Sequence, residues 1–146
     1  YYGVLVNEHT AGLSLRQVVA YGNGAHGVAL YNDGCTVGAV FEDIESFDND
    51  YSGIRLRDSC ENITIRNSEL YGNGDEGIDL ASFDGQHPRT IMIVNNVIHD
   101  NTNQGVHVQD ADGVLIADNT FYGNGGEDVV VSSSVSDVQQ SGNEFS

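Results

Sequence analysis

Apolar and polar residues alternate along this chain in short bursts, and the bursts recur. Gly3-Val4-Leu5-Val6, Gly27-Val28-Ala29-Leu30, Gly53-Ile54-Arg55-Leu56, Gly77-Ile78-Asp79-Leu80 and Gly105-Val106-His107-Val108 share one pattern, and Asp128-Val129-Val130-Val131 repeats it without the glycine. The leading residues are spaced by 24, 26, 24, 28 and 23 positions. Alternation with period two predicts short β-strands that turn Val4/Val6, Val28/Leu30, Ile54/Leu56, Ile78/Leu80, Val106/Val108 and Val129/Val131 inward. A second strand in each unit is typified by Ile63-Thr64-Ile65, Ile91-Met92-Ile93 and Val114-Leu115-Ile116, and a third centres on Leu70, Ile98 and Phe121. One unit has nothing to bury its apolar face against, so the units must stack into a continuous core. Parallel crossovers favour one hand. The pattern therefore predicts an all-β fold: a right-handed, single-stranded parallel β-helix of about six rungs, 23–28 residues each, with three short strands per rung. No 3.6-residue period competes with it, and the single proline, Pro88, falls in a loop.

The punctuation supports the same register. Four residues before each copy after the first stands an asparagine: Asn23, Asn49, Asn73, Asn101 and Asn124. Eight residues before each of these lies an apolar residue, Leu15, Phe41, Ile65, Ile93 or Ile116. The glycines and asparagines are expected to mark turns with unusual backbone angles, and stacked asparagines to satisfy buried turn amides as a ladder. Residues 1–146 read as one β-helix domain, with no capping helix at either end. It is expected to be a slice of a longer β-helix or a unit that stacks head to tail on copies of itself.

Charge narrows the partners. Twenty-two Asp and Glu face five Arg and no Lys, for a net charge of −17. That excludes nucleic acid as a natural partner, and no apolar run is long enough for a membrane-spanning helix. Within this acidic chain, the outward positions of the first strand form a column, two residues after each leading position, of Leu5, Ala29, Arg55, Asp79, His107 and Val130. The next outward column carries Asn7, Tyr31, Arg57, Ala81, Gln109 and Ser132. Three of the five arginines (Arg55, Arg57 and Arg89 on the adjoining loop) thus gather by Asp79, His107 and Gln109. A guanidinium matches a carboxylate such as that of a uronate, and a histidine beside a carboxylate is equipped for proton transfer. The same side chains also suit a surface ion ladder with no ligand.

The longest insertion, Ala81 to Thr90, adjoins this patch and holds Asp84, His87 and Arg89. The stretch Phe83-Asp84-Gly85-Gln86-His87-Pro88-Arg89-Thr90-Ile91-Met92-Ile93, followed by Ile98-His99-Asp100-Asn101 and Gly105, resembles a segment of the alginate (mannuronan) C5-epimerases. The resemblance implies a secreted or cell-surface β-helix acting on an acidic polysaccharide as an epimerase or lyase. By that resemblance Asp84 and His87 would be catalytic; the outward columns and the loop add Asp79 and His107 as a further proton-transfer pair and Arg55, Arg57, Arg89, Gln109 and Tyr31 as substrate-binding candidates. Ala81 stands where that family has a tyrosine, and Gln109 where it has a second acid.

Two smaller signals complete the reading. Cys35 and Cys60 fall eight and seven residues after their leading glycines, so a disulfide between adjacent rungs is expected. The acidic turns Asp48-Asn49-Asp50 and Asp110-Ala111-Asp112 offer oxygen ligands to Ca²⁺, without a Gly-Gly-x-Gly-x-Asp repeat; no other cofactor is implied. Two functions stay open: a β-helix that binds and modifies an acidic polysaccharide, or a non-catalytic repeat module of a surface protein, adhesin or filament.

Overall fold

Each short apolar burst becomes a strand that pairs only with its counterpart one rung away, because no neighbouring segment of its own rung offers a free edge. A computed structural model describes residues 1–7, 10–31 and 36–146. In it three parallel sheets run the length of the molecule. Sheet one stacks Val4–Asn7, Val28–Tyr31, Ile54–Arg57, Ile78–Ala81, Val106–Val108 and Val129–Val131 in chain order. Sheet two contains Glu61–Arg66, Arg89–Val94, Asp112–Ala117 and Val138–Ser141, preceded by pairs of shorter strands in the first two rungs. Sheet three stacks Val19–Tyr21, Glu45–Phe47, Glu69–Tyr71, Val97–His99, Thr120–Tyr122 and Glu144–Phe145. No helix occurs among the described residues, so none is long and apolar enough to cross a membrane.

The core is the lumen. Ile54, Ile78 and Val106 lie in register and fully buried, as do Leu56, Leu80 and Val108. Phe41, Ile65 and Ile93 from sheet two and Leu70, Ile98 and Phe121 from sheet three fill the rest. The strand reading of all three sheets holds.

The glycines at the head of sheet one act through space rather than backbone angle. Gly3, Gly27, Gly53, Gly77 and Gly105 are absent from the left-handed region. A Cβ at Gly77 would lie 2.7 Å from the Gly105 carbonyl oxygen and 2.5 Å from Ile98 Cγ2, and the others are similarly crowded by the next rung's oxygen. Left-handed angles occur elsewhere, at Gly22, Asp48, Gly72, Asp100 and Gly123 after sheet three, and at Gln17, Asp43, Asn67, Asn95, Asp118 and Gly142 after sheet two.

The expected asparagine ladder is present. Asn23, Asn49, Asn73, Asn101 and Asn124 pass a hydrogen bond from each Nδ2 to the next Oδ1 over 2.7–3.0 Å. Asn73 Nδ2 also donates to the Ser46 carbonyl at 3.0 Å, so the ladder satisfies backbone that the turn leaves unpaired. A second ladder, which the repeat pattern did not reveal, joins Asn96, Asn119 and Asn143 at the other corner of sheet three. Outside sheet three runs a stack of rings, Tyr21, Phe47, Tyr71, His99 and Tyr122, with centroids 4.4–5.1 Å apart. Cys35 lies outside the described residues, and with it the expected disulfide; Cys60 is buried, its Sγ 3.2 Å from the Arg57 carbonyl oxygen.

Candidate functional site

The outer face of sheet one carries the candidate residues in the expected register, with Arg55, Asp79 and His107 aligned on successive rungs. Asp79 is 0% exposed, so the alternative of a solvent-exposed ion ladder does not describe it. It does point away from the lumen, since its partners are outer-face groups. Arg55 lies with NH1 2.8 Å from Asp79 Oδ2, and Gln109 Nε2 donates to Oδ1 at 3.1 Å. Neighbouring long side chains lie over a short one, and that cover removes water. Burial raises the Asp79 carboxyl to about 6, Glu76 adds to the rise, and Arg55 and His107 oppose it.

A buried polar seam borders this column, formed by the residue just before each leading glycine. The Ser52 backbone N–H donates to His26 Nδ1 at 3.1 Å, and Ser52 Oγ donates to Glu76 Oε2 at 2.9 Å. Glu76 Oε1 lies 3.6 Å from His107 Nδ1. Burial, followed by the Arg55 charge, lowers His26 to about 4. The sequence reading missed this seam, although a signal existed: Tyr2, His26, Ser52, Glu76 and Gln104 all precede a glycine with a hydrogen-bonding side chain.

Arg57 is held by rings. Its guanidinium carbon sits 4.2 Å from the Tyr31 centroid and 4.5 Å from that of Phe83, with Nε 3.4 Å from Asp58. Tyr31 meets Tyr2 edge-on at 5.4 Å, and Tyr2, Tyr31 and Tyr51 surround His26. Burial and the Tyr2 hydroxyl hold the Tyr31 phenol above its ordinary range. Phe83, absent from the sequence-derived candidates, reaches this place because Asp84-Gly85 forms a tight turn with positive φ at both residues. Phe83 and Gln86 exchange two backbone hydrogen bonds across it at 3.0 Å.

The same turn separates the remaining candidates. His87 bonds through Nε2 to Asp112 Oδ2 at 2.9 Å, with Asp110 3.9 Å from Nδ1, and Arg89 Nε lies 3.9 Å from Asp112. Asp84 stands exposed at the turn, and the carboxylates that orient His87 are those of Asp110 and Asp112. Contacts thus divide the candidates between two places. Tyr31, Arg55, Arg57, Asp79 and His107 belong to sheet one, with Gln109 just past its edge, whereas His87 and Arg89 belong to the corner beside sheet two. In the acidic turns, Asn49 spends its side chain in the ladder, and Asp112 is engaged by His87.

A family model described as "Right handed beta helix region" matches residues 1–145. The chain belongs to the right-handed β-helix family. This β-helix is 36% identical over 111 residues to mannuronan C5-epimerase AlgE3 of Azotobacter vinelandii, covering 74% of the chain and 6% of that protein. It is 35% identical over 118 residues to AlgE5 of the same organism, covering 79% of the chain and 11% of that protein. The chain therefore spans about a tenth or less of the curated relatives it matches. Among solved structures, the A-module of mannuronan C-5 epimerase AlgE6 from A. vinelandii superposes with a TM-score of 0.87 at 30% identity, over 95% of this chain and 37% of that one. The periplasmic alginate epimerase AlgG, at 16% identity, shares the fold with a TM-score of 0.81, over 99% of this chain and 42% of that one.

Proposed function

We propose that this β-helix binds an alginate-like polyuronate along the outer face of sheet one, as a secreted or cell-surface module of a polymer-modifying protein. The observation that carries the reading is Arg57. In a chain of net charge −17 its guanidinium lies over the rings of Tyr31 and Phe83 with Nε facing Asp58, and its terminal nitrogens are the donors offered to a uronate carboxylate. Ring stacking pre-organises it and reduces the entropy lost on binding. The mannuronan C5-epimerase relatives support the substrate class. Epimerisation at C5 removes the proton beside the carboxylate and returns one from the opposite face. A neutralised carboxylate lowers the cost of the carbanion, and an imidazole is the group suited to exchange the proton. In this reading the exchanging group is drawn from His107, aligned with Asp79 and 3.6 Å from Glu76, and His87, bonded to Asp112.

Affinity for mannuronan, measured by calorimetry against a neutral glucan, tests the binding. Arg57→Ala is expected to weaken it at least about tenfold, with a salt dependence shallower than that of the parent. Equal affinity for the neutral polymer would reject the reading. The competing role, a structural repeat module, draws on the flatness of the face, since no cavity opens among the described residues. It predicts no polyuronate binding at all. Product NMR after incubation with mannuronan decides catalysis: loss of activity in His87→Ala or in His107→Ala assigns the base, and full activity in both excludes this mechanism.

A further inference from the structure

We infer that Glu76, Asp79 and His107 form a binding site for a zinc-class divalent transition-metal ion. The inference does not depend on polyuronate binding. One ligand atom from each residue lies within 4.8 Å of the other two, across two adjacent rungs of sheet one. Each carboxylate has one oxygen already anchored. Glu76 Oε2 accepts from Ser52 Oγ at 2.9 Å and Asp79 Oδ1 accepts from Gln109 at 3.1 Å; Glu76 Oε1 faces His107 Nδ1 at 3.6 Å, and Asp79 Oδ2 completes the cluster with Arg55 NH1 at 2.8 Å on its other side. Outer partners of this kind orient metal ligands.

Three observations distinguish the cluster from an ordinary acidic surface. First, it is enclosed: the side chains of Asp79 and Glu76 are 0% and 8% exposed. Second, it is unsatisfied. His107 Nδ1 and Asp79 Oδ2 are both buried atoms without a hydrogen bond; Arg55 NH1, 2.8 Å from Oδ2, compensates the charge without hydrogen-bond alignment. Two buried carboxylates against one guanidinium leave a surplus negative charge where burial makes it costly. Third, the spacing fits a metal better than a proton. Glu76 Oε1 and His107 Nδ1 are 3.6 Å apart, too far for a hydrogen bond. Ligand bonds of about 2.0–2.1 Å at tetrahedral angles put two donors about 3.4 Å apart.

The donor set selects the ion. One imidazole nitrogen and two carboxylates suit Zn²⁺, and Co²⁺ or Ni²⁺ as substitutes, whereas Ca²⁺ takes six to eight oxygens. Three protein ligands leave a fourth position for water. The His107 side chain is 22% exposed, which supplies the path of entry.

The test is a Co²⁺ titration of the chelator-treated chain, followed by its visible absorption, without polymer. Expected is a saturable band at one ion per chain, erased by equimolar Zn²⁺ and unaffected by a tenfold excess of Ca²⁺. His107→Ala should weaken binding at least about a hundredfold, beyond what the loss of an outer partner usually costs. Glu76→Gln is the second variant, with circular dichroism showing that the fold survives. No stoichiometric band, or equal affinity in a folded His107→Ala protein, would overturn the site. Because polymer is absent, failure here leaves the polyuronate reading standing, and failure of polyuronate binding leaves the metal site standing.

Discussion

At the scale of single residues, similar letters of the sequence do different work. Gly77 and Gly85 illustrate it. A methyl group at Gly77 would meet a backbone oxygen at 2.7 Å that belongs to the next rung, so Gly77→Ala must push two rungs apart. Gly85 has open space around its Cβ position and needs only its φ of 75°. Gly85→Ala is expected to cost about 1 kcal/mol and Gly77→Ala at least about 3 kcal/mol, read from urea midpoints at constant slope. Comparable losses would contradict the close-approach argument. His26 provides a pH signature. Its folded pKa of about 4 lies below the ordinary 6.5, so the unfolded chain binds the extra proton between those values. Its contribution is therefore present above about pH 6.5 and lost as pH falls toward 4. The stability difference between the parent protein and His26→Gln should shrink by at most about 3 kcal/mol between pH 7 and 4, in urea titrations of both. A difference that is constant with pH would show that His26 does not titrate as its burial requires.

At the scale of elements, the two asparagine ladders and the ring stack set the register of the rungs. Asn73 is fully buried and gives or takes hydrogen bonds with Asn49, Asn101 and the Ser46 carbonyl. Asn73→Ala strands several buried groups at once and is expected to cost about 3 kcal/mol or more in a urea titration. Asn95 is exposed and contributes mainly its left-handed angle, so Asn95→Gly should change stability by less than about 1 kcal/mol. Equal effects would remove the ladder as a source of stability. The ring stack closes differently, through His99, which bonds Glu69 at 3.1 Å and Asp100 at 2.8 Å while lying between Tyr71 and Tyr122. The Leu70, Ile98 and Phe121 positions were legible because the core repeats. The ring column was not, because Tyr, Phe and His share no polarity that a hydrophobic pattern would register.

At the scale of the whole molecule, the sequence by itself determined the architecture. A repeat that carries inward aliphatics, a close-packed glycine and an asparagine every 23–28 residues has one way to bury its apolar faces, which is to stack. The inward residues of sheet one, the first asparagine ladder and the alignment of Arg55, Asp79 and His107 all follow from counting along that repeat. What lies between the columns does not follow. Burial of Asp79 depends on the side chains of Arg55 and Gln109 folding over it from neighbouring rungs, and a register says nothing about rotamers. The Asp84-Gly85 turn sends Phe83 to Arg57 and leaves His87 to Asp112, a sorting decided by two left-handed backbone angles inside an insertion that has no counterpart in other rungs. The meeting of Glu76 and Asp79 with His107 likewise joins residues about 30 positions apart in the chain whose neighbourhood exists only once the rungs are stacked. Periodicity fixes which residues share a column, whereas lateral packing between columns decides their water, their charge and their partners, and only the folded chain holds that information.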